Sequence, residues 1–287
     1  MDGILVVNKP LNYTSHDIVY KIKKITNEKV GHTGTLDPMA SGVLPLLIGK
    51  GTLCSKYLIN HDKIYDVELT VGKKTDTADS EGKVLQEEKV DTNILEKTNI
   101  ENVLKSFLGI SKQVPPIYSA IKINGKKLYE YARKGQEVEI EPREIQIYDI
   151  KLTTLDVENM KIKYQVKCSK GTYIRSLCED IAKKLGTIGY MSALNRVQVG
   201  NFNIRDSVNM KEIEENNDII KEKLITIEDL FKNKPQIILD KRKLKLFLNG
   251  VKLTFNNEAQ IYRIYCENNF IGIGEVKNNL LKREIIL

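Results

Sequence analysis

One carboxylate, Asp37, sits in the middle of GHTGTLDPMASGVLPLLIGKGT, residues 31–52, with Gly31, Gly34, Gly42, Gly49 and Gly51 around it and Pro38 directly after it. A lone acid in such free backbone reads as a reactive group held at a fixed point. The glycines would let a nucleic-acid strand approach closely. The plain structural alternative is a turn or helix start, with Asp37 as the cap and Pro38 in the first position. Two other stretches favour chemistry. In KIYDV, Tyr65 stands early on a strand, where its ring can stack on a base; in KGTYIR, Arg175 lies just inside a helix with Lys170 nearby. Taken singly, Tyr65 reads as core and Arg175 as surface.

Competing chemistries find less support. A phosphate-binding G-x-x-x-x-G-K-[ST] loop fails because Gly51 follows Lys50 and Leu44 occupies the upstream glycine position; no G-x-G-x-x-G follows a strand either. Cys54, Cys168, Cys178 and Cys266 contain no C-x-x-C pair, and His16, His32 and His61 lack ligand spacing, so no metal site is expected. Ser15, His16 and Asp17 are consecutive, and adjacent side chains diverge, which favours helix capping over a catalytic relay. Lys and Arg total 45 against 38 Asp and Glu, a formal charge of +7 that favours a polyanionic partner. No apolar run approaches the roughly 20 residues that span a bilayer, and MDGILVVNKP has an acid where a secretory signal has bases. The expectation is a cytoplasmic protein with no membrane partner.

The elements that must position these residues follow from periodicity. GILVVNKP reads as a strand stopped by Pro10, and TSHDIVYKIKKIT as a helix capped by Thr14 or Ser15 with Ile18, Val19, Ile22 and Ile25 on one face. KIYDVELTVG alternates Tyr65, Val67, Leu69 and Val71 against polar residues, a half-buried strand that ends in the polar loop KKTDTADSEGK. A helix is expected over 93–108 with Gly109 closing it, then a short strand, an Asn124-Gly125 turn and a basic helix bearing tyrosines. Strands at 143–154 and 160–168 precede a helix in SKGTYIRSLCEDIAKKLG and a strand in LNRVQVGNF. Acidic residues crowd 211–230, and a boundary near 233 separates residues 1–232 from a strand-rich piece, 235–287, the size of a small barrel. The irregular alternation indicates an α+β fold with a mixed, largely antiparallel sheet flanked by helices.

Five stretches, DGILVVNKPLNYTSHDIV, KVGHTGTLDPMASGVLPLLIGKGT, KIYDVELTVGKKTDTADSEG, VPPIYSAIKINGKKLYEYARKG and CSKGTYIRSL, spread over roughly the first 200 residues. In order and spacing the chain resembles the pseudouridine synthases, and within them the bacterial branch that modifies uridine 55 in the T arm of tRNA. The resemblance implies that Asp37 is the essential acid, that Tyr65 stacks on the target uracil and that Arg175 pairs with Asp37. It implies too that His32, Tyr173 and Leu194 line the RNA site, His32 filling the gap left by the flipped base, and that Lys9 stands beside it. Residues of about 113–141 match a thumb that closes over RNA, and 235–287 resemble a small RNA-binding PUA barrel. The family's lysine after GxxT is replaced here by Leu53, with Lys50 or Lys56 as candidates for its charge, and VGNF replaces VGPF.

Breaking the N1–C1′ bond, turning the uracil and rejoining it through C5 is an isomerisation, so no cofactor is implied. The expected partner is tRNA, with no obligatory protein partner and a monomeric enzyme. A rival function of another class is a non-catalytic tRNA-binding or folding factor. In either case tRNA affinity is expected to fall steeply as salt rises, because lysines would neutralise phosphates; a flat salt titration would exclude a basic groove.

Overall fold

The computed structural model describes all 287 residues. Its larger sheet contains β1 (Gly3–Lys9), β2 (Val30–His32), β3 (Ala40–Ile48), β4 (Lys63–Val71), β5 (Gly109–Gln113), β6 (Arg143–Asp156), β7 (Lys161–Cys168) and β8 (Gly189–Val199). Across the sheet the order is Val208–Asn209, β1, β3, β8, β4, β7, β6 and β5, with β2 paired to the other side of β3. Neighbours are antiparallel except β1 with Val208–Asn209 and β3 with β8. This is the mixed, largely antiparallel sheet expected.

The parallel step between β3 and β8 brings the site together. It sets Ala40 against Leu194 and Gly42 against Arg196, while the antiparallel pairing of β8 with β4 sets Arg196 opposite Tyr65. The loop that leads into β3 therefore lies beside the strand that carries Tyr65. Such close approach requires Gly42: its φ is +112°, and a Cβ there would stand 2.2 Å from the Arg196 carbonyl oxygen.

Helix α1 (Ser15–Thr26) begins with Thr14 as its cap, the Thr14 hydroxyl accepting from the Asp17 N–H and the Asp17 carboxylate accepting from the Thr14 N–H. Its Ile18, Val19 and Ile22 pack on Leu5, Val7, Leu44, Leu46 and Ile48. The opposite faces of β1 and β3, through Ile4, Val6, Val43 and Leu47, pack on Phe231, Ile273 and Ile285. Both faces of these strands are thus buried, which explains their continuous apolar runs. Residues 40–48, where glycine spacing suggests only loose backbone, form β3 for this reason. Helices α2 (Lys97–Lys105) and α3 (Ile174–Lys184) cover the inner face of β4, β6, β7 and β8 in the largest apolar cluster. Within it the Tyr164 hydroxyl lies 3.2 Å from the Cys178 sulfur.

Three expectations shift. The helix over 93–108 is a 3₁₀ turn, Thr92–Leu95, followed by α2; it stops at Ser106, and Gly109, with φ +98°, opens β5. The polar loop after β4 starts as a short hairpin, Lys73–Thr75 with Val84–Glu87. Beyond 233 the chain holds a helix among its strands, α4 (Lys241–Leu248), capped by Asp240 and followed by β10 (Ile261–Cys266), β11 (Asn269–Lys277) and β12 (Leu280–Ile286), with β9 (Gln236–Ile238) before it. That sheet runs β9, β10, β11, β12 and Leu253–Thr254, and its two outer strands are not bonded to each other, so it curls without closing. No helix of the chain is long and apolar enough to cross a membrane.

Gly42→Ala is expected to lower unfolding stability by about 2–4 kcal/mol, since it adds both strain at positive φ and overlap with β8. Urea denaturation of the two proteins measures this, and an unchanged midpoint would contradict the close approach of β3 and β8.

Candidate active site

Asp37 precedes β3 in a four-residue turn in which the Ala40 N–H donates to the Asp37 carbonyl at 3.0 Å and Pro38 supplies the fixed φ of the second position. The turn is anchored from three sides. Ser15, buried at the start of α1, accepts from the Leu36 N–H at 2.8 Å and donates to the Leu36 carbonyl at 3.2 Å. The Lys9 ammonium donates to the carbonyls of Pro10, Tyr13 and Pro38 at 2.9, 2.5 and 3.3 Å. The Arg196 guanidinium donates to the carbonyls of Gly34 and Thr35 at 3.0 and 3.5 Å, and its Nε to that of Val43 at 2.8 Å. The consecutive Ser15, His16 and Asp17 form no relay: Ser15 holds the acid's loop and Asp17 caps the helix.

Arg175 reaches Asp37 from the first turn of α3. Its Nε lies 3.1 Å from Oδ2 and its Nη2 lies 3.4 Å from Oδ1, a two-pronged contact that fixes the carboxylate plane. The same guanidinium approaches Asp79 at 3.6 Å and donates to the carbonyls of Thr77 at 3.2 Å and Tyr118 at 2.9 Å. Asp79 is itself fixed by the Thr77 hydroxyl at 2.6 Å and the Glu81 N–H at 3.1 Å. Burial raises the Asp37 carboxyl above its ordinary value of 3.8; Arg175 opposes that rise and Asp79 adds to it. Desolvation is the larger effect.

Asp37, Tyr65, Arg175, Tyr173 and Leu194 line one cleft of about 750 Å³, together with Lys63, Tyr118, Ser119 and Arg196. Tyr65 keeps only 8% of its surface exposed, and burial raises its hydroxyl while Arg196 opposes the shift. The segment that follows β5 lines the cleft through Tyr118, Ser119 and Ala120. Its root is tied to α3 by Gln113, whose amide bonds the Tyr173 N–H at 2.8 Å and carbonyl at 3.0 Å, and by the Ser176 hydroxyl on the Val114 carbonyl at 3.0 Å. Farther out, Asn124 and Gly125, both at positive φ, turn a two-rung hairpin into the helix Leu128–Ala132.

The family model described as TruB family pseudouridylate synthase, N-terminal domain, matches residues 22–174, and two models of TruB C-terminal domains match 175–233 and 235–283. A Clostridium acetobutylicum protein named tRNA pseudouridine synthase B is 44% identical over 98% of each chain. One of the same name from Clostridium tetani is 46% identical over 96% of each. The chain belongs to the TruB family of pseudouridylate synthases. The solved Cbf5-Nop10-Gar1 complex contains a chain with the same fold, at TM-score 0.68 and 24% identity, covering 96% of this chain and 78% of that one.

Within this TruB-family site the remaining expected residues fall outside the cleft lining. His32 ends β2, one residue before Thr33 of the lining, and its Nδ1 accepts from the Gly34 N–H at 3.3 Å; burial lowers its pKa, so it is neutral at pH 7. Lys9, expected to meet RNA, has no exposed surface and spends its ammonium on carbonyls, so it shapes the loop without offering a donor to a ligand. Leu53 is half exposed; Lys56 is paired with Glu284, and Lys50 is exposed without an ion pair. Sequence reasoning missed Ser15, Asp79, Gln113 and Arg196. For Arg196 a signal existed: on a strand it falls on the same face as Leu194, two residues before it.

Because folding raises the Asp37 carboxyl, the folded state binds its proton more tightly than the unfolded chain. The stability this contributes is full below the ordinary value of 3.8 and is lost as pH rises through the raised value. Asp37→Asn is therefore expected to melt above the wild type at pH 7 and to approach it near pH 4. Calorimetry at the two pH values checks the sign, and a lower melting point at pH 7 would refute it.

Proposed function

We propose that this chain converts uridine 55 in the T arm of tRNA to pseudouridine, with Asp37 as the acid acting on the target nucleotide. The observation that carries this reading is the single cleft in which Asp37, held two-pronged by Arg175, faces the strand bearing Tyr65. The relatives named tRNA pseudouridine synthase B, 44–46% identical over nearly their whole length, support the substrate class.

The nucleotide must leave the helix stack to reach Asp37, at a cost of a few kcal/mol, of which stacking on Tyr65 returns about 1–3. The N1–C1′ bond then breaks with its electron pair leaving on uracil; the base turns, C5 bonds to C1′, the C5 hydrogen is lost as a proton and N1 gains one. Asp37 can meet this sequence at C1′, at C6 of the base or at the C2′ hydrogen, and each route needs an ionised carboxylate in contact with the nucleotide. Burial makes that carboxylate more basic, and the Arg175 fork keeps it aimed.

Residues of about 113–141 act as the thumb, with exposed Lys122, Lys126, Arg133 and Lys134 directed to phosphate, and Tyr129 between Lys127 and Arg133. The segment 235–287 forms a second RNA contact through the exposed Lys241, Arg242, Lys243 and Lys245 of α4, apart from the catalytic residues 1–232. The enzyme works as a cytoplasmic monomer without a protein partner.

Tritium release from tRNA carrying 5-tritiated uridine tests the reading, with the modified position mapped in a T-arm hairpin. Wild type is expected to release tritium from position 55 alone. Asp37→Asn should lower that release about 10⁴-fold or more while leaving tRNA affinity nearly unchanged. Binding without release by the wild type would establish the folding-factor reading instead.

A further inference from the structure

Four cations lie beneath or along the cleft with little exposed surface: Lys9 at 0%, Lys63 at 8%, Arg175 at 6% and Arg196 at 1%. Only Arg175 touches carboxylates. Lys9, Lys63 and Arg196 touch no carboxylate and donate to carbonyl oxygens, Lys63 to that of His61 at 2.5 Å. Carbonyls meet the need for hydrogen bonds and leave the charge uncompensated, which is costly in a buried place. The two lysines can shed that charge, and burial pulls Lys9 down to about 8 and Lys63 in the same direction. A guanidinium cannot deprotonate. Arg196 is thus a permanent buried positive charge with no acid beside it, in a position where an apolar residue would cost less.

Its location indicates which negative charge it serves. Arg196 lies opposite Tyr65 across the β4–β8 pairing, so the two side chains share one face of the sheet and stand side by side at the cleft, next to the platform proposed to hold the base. It does not read as a phosphate ligand, because each of its three nitrogens already donates to a carbonyl, of Val43, Thr35 or Gly34, and only 1% of its surface is exposed where it borders the cleft. In the reaction proposed above, cleavage of N1–C1′ leaves the bonding pair on uracil, which is an anion until C5 joins C1′. A fixed charge in a dry setting favours such an anion without any reorganisation.

We infer that Arg196 is a positioning residue for this reaction: its charge, acting from beside Tyr65, favours the detached uracil anion, while its carbonyl bonds hold the Gly34–Thr35 turn in front of Asp37. The inference rests on the proposed uridine isomerisation. It assigns leaving-group stabilisation to a residue that never touches the substrate.

The test uses single-turnover reactions at saturating tRNA with uridine or 5-fluorouridine at the target position, the fluorine making the departing base a more stable anion. Loss of the N-linked nucleoside from nuclease digests is the readout for both. Arg196→Gln is expected to slow the uridine reaction about 100-fold and the 5-fluorouridine reaction about 10-fold or less, with tRNA affinity within about 3-fold of wild type; Arg196→Lys, which keeps a cation, should lose about 10-fold or less on uridine. Equal slowing on both substrates, a fall in affinity in place of rate, or an Arg196→Gln rate within about 3-fold of wild type would each overturn the inference. If Arg196→Gln does not fold, the same comparison on Arg196→Lys decides: its smaller defect must shrink further on 5-fluorouridine, and an equal defect overturns the assignment. A wild-type protein that consumes neither nucleoside refutes the proposed activity itself, so the two failures are distinct.

Discussion

The contact between Arg175 and Asp37 is the interaction around which this molecule is arranged. Burial pushes the acid toward its neutral form, and a carboxylate left alone there would drift in orientation as well as in charge. The guanidinium answers both problems at once, because a planar fork at 3.1 and 3.4 Å supplies charge and a fixed plane. Its remaining donors reach Asp79 and the carbonyls of Thr77 and Tyr118, so three segments far apart in the chain converge on one side chain. The Tyr118 contact has a mechanical side: the segment that lines the cleft is fastened to the group that holds the acid.

That convergence depends on the sheet. In a wholly antiparallel meander the strand that follows Asp37 and the strand that carries Tyr65 would be direct neighbours, with no third strand to tie them together. The parallel pairing of β3 with β8 inserts one strand between them and places Arg196 in register with both Gly42 and Tyr65. At Gly42 the two backbones come so close that no side chain could occupy the position without moving β8.

What was legible in the sequence follows from which patterns local physics writes. β4 and β7 bury one face, so their alternation is visible, and the Thr14–Asp17 cap announces α1. β1 and β3 bury both faces, which removes the alternation; β1 is still marked by Pro10, whereas β3 hides among glycines. Helix α4 is masked because Leu244, Phe247 and Leu248 stand among lysines that also suit a strand edge. At the site, Asp37, Tyr65 and Arg175 were readable from motifs, and the structure brings them into one cleft with Tyr173 and Leu194. Asp79 was not, since DTADSEG looks like a solvated loop until Arg175, close to a hundred residues later, folds over it. Ser15 was hidden by its neighbours, whose order invites a different reading.

The curled sheet at the chain's end is not hung on the larger one by a linker. Ile273 and Ile285 share an apolar cluster with Ile4, Val6, Val43 and Leu47, and Glu284 receives both Lys56 and Lys282. The strand that holds Lys9 and the strand that follows Asp37 therefore rest directly on the terminal module. Shortening the protein at residue 234 would strip greasy side chains bare on the underside of the catalytic floor. Any exchange of that module for another, in a laboratory or in descent, would have to rewrite the first nine residues as well.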